Sequence, residues 1–145
     1  ALLVRQLHDA GAGPSSTVGV VLSGSFPSLG LAALAAVQAV GARAVVTSSL
    51  GSSSFGANQP EVTWLDMESY VAAHGGLRYR STMVTMGAEG DTGGGLSDEG
   101  RRVLRSAALR NGMELSTPRS FHEAARTRWP SGSPVCKVGP RWHRC

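Results

Sequence analysis

Three stretches of this sequence hold residues that could do chemistry. The first is "SGSFPS", which places Ser23, Gly24, Ser25 and Ser28 where an apolar run ends and an alanine-rich stretch begins. Free N–H groups and the positive end of a helix dipole favour an anion at such a junction, and the serine hydroxyls add donors. A carboxylate or a phosphate suits it. The plainer reading is that Gly24 turns the chain and Ser25 or Ser28 caps the helix. The dinucleotide glycine fingerprint is absent, and so is a phosphate-loop lysine, since the one lysine is Lys137.

The second stretch, "SSLGSSSFGANQPE", offers Ser49, Ser52, Ser53 and Asn58 as uncharged donors and acceptors. It exceeds the roughly 2–6 residues usual between a strand and a helix, and excess length in a structured domain points to function. Glu61 and Asp66 follow it, as candidate bases or metal ligands. Asp66 also has the spacing of a reciprocal helix cap with Thr63. The third stretch, "GAEGDTGGG", carries Glu89 and Asp91 on glycine-rich backbone. Glu61, Asp66 and Asp91 are therefore the candidate catalytic acids. No Gly-x-Ser-x-Gly elbow is present, and spacing alone assembles no Ser–His–acid triad. Cys136 and Cys145, with His143 between them, match no common zinc spacing, so neither a metal nor a cofactor is expected.

The elements that must position these stretches follow from periodicity. Buried strands are expected near Thr17–Leu22, near Ala44–Thr47 and within "LRYRSTMVTMG". Helices are expected within "ALLVRQLHDAG", "PSLGLAALAAVQAVG", "TWLDMESYVAAHGG" (closed by Gly75-Gly76) and "SDEGRRVLRSAALRNG", with a last one at "SFHEAARTR". Apolar strands alternating with helices predict an α/β fold: a Rossmann-like three-layer sandwich around a small, mainly parallel sheet. In such a sheet all three stretches lie at the carboxyl ends of the strands, on one rim. Three strands make a small sheet, which a further strand or a partner would complete. Residues 1–128 read as one domain lacking an amino-terminal portion, and residues 129–145 as a basic, disordered tail.

Charge is divided along the chain. Residues 1–116 hold eight arginines against nine acidic residues, and residues 117–145 hold six basic residues against one glutamate. The formal charge of +4 thus comes from residues 117–145, and a basic face for nucleic acid is not expected on the part before them. The longest apolar run, Leu29 to Val37, is nine residues, against the roughly 20 needed to cross a bilayer.

The stretches "SGSFPSLGLAALAA", "SSLGSSSFGANQPEVTWLDME" and "GGGLSDEGRRVLRSAALRNG" resemble the poly-gamma-glutamate system protein family, whose members accompany poly-gamma-glutamate synthesis and export components in bacteria. The resemblance covers about residues 1–128; the tail departs from it. It implies an accessory protein of poly-gamma-glutamate biosynthesis or export, with poly-gamma-glutamate or a glutamyl precursor, and membrane synthase subunits, as partners. A cell-envelope or membrane-associated parent is implied, whose anchor lies outside this chain, so the fragment itself is expected to be soluble. The family supplies no catalytic residues. Two alternatives stand beside ligand binding: a hydrolase or transferase acting on gamma-glutamyl bonds, and a non-catalytic scaffold for synthase subunits.

Overall fold

Valine and threonine suit a pleated, half-buried surface, and the first such run forms a strand. A computed structural model describes residues 2–120 and 122–123 of the chain. Within them α1 (Leu2–Asp9) precedes β1 (Thr17–Ser23), and α2 (Pro27–Ala39) leads to β2 (Arg43–Ser49). A small hairpin of β3 (Asn58–Gln59) and β4 (Val62–Thr63) runs into α3 (Trp64–Ala73). Then come β5 (Met83–Thr85), α4 (Asp98–Arg110) and β6 (Leu115–Ser116).

The sheet has the order β1-β2-β5-β6, and every neighbouring pair is parallel. The expected α/β fold with a mainly parallel sheet is what the structure has. The fourth strand comes from this chain itself. β5 is only three residues long, because Arg78 and Arg80 fall in the segment ahead of it rather than in the sheet. The strand order runs monotonically, so there is no reversal of the kind that opens a crevice in doubly wound sheets. The expected last helix lies mostly outside the described residues, as do the tail and both cysteines.

Register explains where the core sits. Val20 pairs with Val46, Leu22 with Ser48, and Ser48 with Val84, so these side chains share one sheet face. Leu34 and Val37 of α2, Trp64 and Leu65 of α3, and Leu104 and Ala108 of α4 are buried with them in one cluster. Each fully buried aliphatic side chain there contributes about 1.5–3 kcal/mol. The helices touch in chain order, α1 on α2, α2 on α3 and α3 on α4. On the opposite sheet face Val21 is 54% exposed, so the expected cover on both faces does not reach β1 among the described residues.

Candidate functional site

At the carboxyl ends of the strands the main chain itself joins the three stretches. The Gly24 amide donates to the Ser49 carbonyl at 2.9 Å, and the Ala57 amide donates to the Gly24 carbonyl at 2.7 Å. The Leu50 amide donates to Thr85 at 3.0 Å and the Gly51 amide to Met86 at 2.8 Å. The Ser53 amide reaches Ser25 Oγ at 3.0 Å. Two glycines make this closeness possible. A Cβ at Gly56 would stand 2.5 Å from the Gly24 carbonyl oxygen, and one at Gly51 would stand 2.9 Å from that of Met86.

These bonds use up much of the expected anion cradle. Gly24 is buried, with both its main-chain groups engaged. The Ser25 amide donates to Ser23 Oγ at 3.2 Å and the Phe26 amide to the Ser23 carbonyl at 3.1 Å. Pro27 has no N–H to offer. Ser28 and Leu29 are left as the first-turn donors outside these bonds. Neither Ser25 nor Ser28 caps α2; Phe26 holds the cap position without a side-chain bond. Ser28 and Ser53 are exposed and Ser52 is half-buried, whereas Ser49 is buried below the rim with its hydroxyl on the Leu22 carbonyl. Asn58 is exposed and donates to the Ser54 carbonyl at 2.9 Å.

The three candidate acids have separate surroundings. Asp66 accepts from the Thr63 amide and hydroxyl, both at 2.7 Å, and so caps α3 as its spacing predicts. It also accepts from Arg110 Nε at 2.8 Å and Asn111 Nδ2 at 2.7 Å. Burial works against its charge, yet the hydrogen bonds from Arg110, Thr63 and Asn111 prevail and hold its carboxyl far below the usual carboxylate range. An acid so held is a poor base. Asp91 accepts from the Thr85 hydroxyl at 2.8 Å, so it lies beside the end of β5. Asp91 and Ala88 both have positive φ, 62° and 60°, a conformation uncommon outside glycine. Glu61 is exposed, on the turn between β3 and β4.

A groove runs between this hairpin and α4. One part, about 270 Å³, is lined by Leu50, Ser52, Ala57, Asn58, Leu96 and Leu104 among others. A second depression of about 380 Å³ shares Pro60 and Val103 with it and holds Glu61 and Arg110. The structure thus brings Ser52 and Asn58 to one groove and Glu61 to its far end, while Ser23, Gly24, Ser25 and Ser28 line neither part.

A buried network was missed by sequence reasoning. Glu68 of α3 accepts from the Ser81 amide at 2.9 Å and the Ser81 hydroxyl at 3.0 Å. The Ser81 hydroxyl lies 2.6 Å from that of Ser48, which accepts from Trp64 Nε1 at 2.9 Å. The available signal was Glu68 standing four residues after Trp64, on the apolar side of α3.

Among the described residues no three or more His, Cys, Asp or Glu side chains gather as a metal site, and no helix is long and apolar enough to cross a membrane. The chain matches no family model, no curated protein and no solved structure.

Proposed function

We propose that this chain is a non-catalytic accessory module of poly-gamma-glutamate biosynthesis or export, holding a glutamyl chain at the carboxyl-end rim of its sheet. The observation that carries this reading is the main-chain joining of three segments through Gly24–Ala57 and Gly51–Met86. These bonds bring together main chain more than 30 positions apart in sequence. The rim offers the hydroxyls of Ser25, Ser28, Ser52 and Ser53 and the Ser28 and Leu29 N–H groups in the first turn of α2. Uncharged donors of this kind suit a repeating carboxylate without fixing one residue of it in place. The resemblance of the same segments to the poly-gamma-glutamate system proteins supports the choice of ligand. The hydrolase or transferase reading has less support, because Asp66 is occupied by Arg110, Thr63 and Asn111.

Calorimetric titration of the chain with a gamma-linked glutamate oligomer tests the reading. Saturable binding is expected, weakened about five-fold in Ser28→Ala, the size of one lost hydrogen bond. Heat indistinguishable from dilution would overturn it.

The scaffold reading has its own observation. Phe26, Leu29 and Phe55 sit on the first two rim segments and are among the exposed large apolar residues, Phe55 at 98%. Exposed apolar groups gathered on one surface mark protein contacts. If synthase subunits are the true partner, Phe55→Ser abolishes their capture and leaves the oligomer titration unchanged.

A further inference from the structure

Among the described residues, Glu68 is the charged residue sealed inside the core, at 1% exposure. With Glu68 ionised, the directions of the hydrogen bonds leading to it are set at its own end, because a carboxylate only accepts and so takes the one Ser81 hydroxyl proton. Trp64 Nε1 can only donate, and it donates to Ser48 Oγ. Ser48 then sends its own proton to Ser81 Oγ, and Ser81 sends its proton to Glu68 Oε1 while its amide donates to Oε2.

We propose that Glu68 is a buried proton switch, whose charge sets the direction of the chain Trp64–Ser48–Ser81–Glu68 and with it the hold of β2 on Trp64. A proton on Oε1 turns the carboxyl into a donor to Ser81. Ser81 must then donate to Ser48, which already accepts from Trp64, and the Ser48 hydroxyl loses its acceptor.

The surroundings act on the carboxyl in opposite senses. Burial raises the Glu68 carboxyl above the ordinary glutamate value, against the Ser81 bonds and the charge of Arg80. Arg80 donates to Ser69 Oγ at 2.7 Å. Of the elements packed on α3, α2 and β4 contain no charged residue, and α4 carries Asp98, Glu99, Arg101, Arg102, Arg105 and Arg110, the last held by Asp66; the charge that acts on the Glu68 carboxyl is that of Arg80. A folded-state carboxyl that keeps its proton more tightly than the unfolded one contributes stability as pH falls through its folded value.

The switch touches both elements that carry the first two rim segments. Ser48 directly precedes Ser49, whose carbonyl holds the Gly24 amide. The Trp64 ring lies against Gly30 of α2, where a Cβ would stand 2.8 Å from Cη2. The proposal stands whether or not the rim takes a glutamyl chain.

The test uses the full chain with ¹⁵N at the tryptophan indoles and no ligand. Three tryptophans are present; Trp129→Phe and Trp142→Phe assign Trp64 by elimination. From about pH 7.5 down to about pH 4.5, the Trp64 indole resonance is expected to move with one midpoint above the ordinary glutamate range. In Glu68→Gln it is expected to stay fixed. A Trp64 resonance constant across that window in the folded wild type, or one that still titrates in Glu68→Gln, overturns the proposal. Ser81→Ala serves as the second variant, because it cuts the chain in the middle and leaves Glu68 in place. Trp64 should then no longer follow pH, and an unchanged titration there also overturns it.

Discussion

Ala57 is hydrogen-bonded to Gly24 across the rim, amide to carbonyl at 2.7 Å, and its neighbour Gly56 leaves no room for a side chain beside that same carbonyl. Gly56→Ala would put a methyl group 2.5 Å from the Gly24 oxygen and 2.6 Å from Ser25 Cα. Main chain on both sides cannot step aside cheaply. The variant is expected to lose about 1–3 kcal/mol in chemical denaturation. Wild-type stability would mean that the two segments are not in contact in solution.

Asp66 ties the start of α3 to the end of α4 through Arg110 and Asn111. Asp66→Asn should cost about 1–2 kcal/mol near neutral pH, kept low because Arg110 is about a third exposed and screened by solvent. The sign of the pH dependence follows from the lowered carboxyl. The unfolded state takes up its proton first as pH falls, so the stabilisation is present above about pH 4 and is lost below it. Denaturation curves of wild type and variant should therefore converge in acid. A gap that widens as pH falls below about 4 would contradict this assignment.

Trp64 anchors α3 to α2 and to β2 at once. Gly30→Ala sets a methyl group 2.8 Å from Trp64 Cη2, against a ring buried to 0% exposure. The expected loss is about 1–3 kcal/mol, with a change in tryptophan emission as the ring is displaced. A Gly30→Ala chain as stable as wild type would show slack in this contact. Ser97→Ala removes the hydroxyl that accepts from the Gly100 amide at 3.0 Å, and about 1 kcal/mol is expected for that cap.

What could be read beforehand followed local rules. Periodicity gave α2, α3 and α4 to within a residue or two, and the Thr63–Asp66 spacing gave the cap of α3. The uninterrupted apolar runs of β1 and β2 gave a parallel sheet. β6 is two residues long, too short for any alternation to register. Arg110 as the partner of Asp66, 44 positions away, follows from helix packing and not from spacing. The rim segments were legible as loops at strand ends, but their donors were not. Gly24, Ser25 and Phe26 turn their amides inward to join neighbouring backbone and side chains, a choice made by tertiary contact. Glu68 hid inside a helix that reads as amphipathic without it.

The central claim is that three segments act as one surface for a glutamyl chain, and an amide ¹H–¹⁵N titration of the full chain with a gamma-linked glutamate oligomer tests it most directly. Signals within residues 24–29, 51–58 and 87–92 are expected to move together along one saturating curve. No movement up to millimolar oligomer, or movement confined to the basic residues 117–145, would contradict the account.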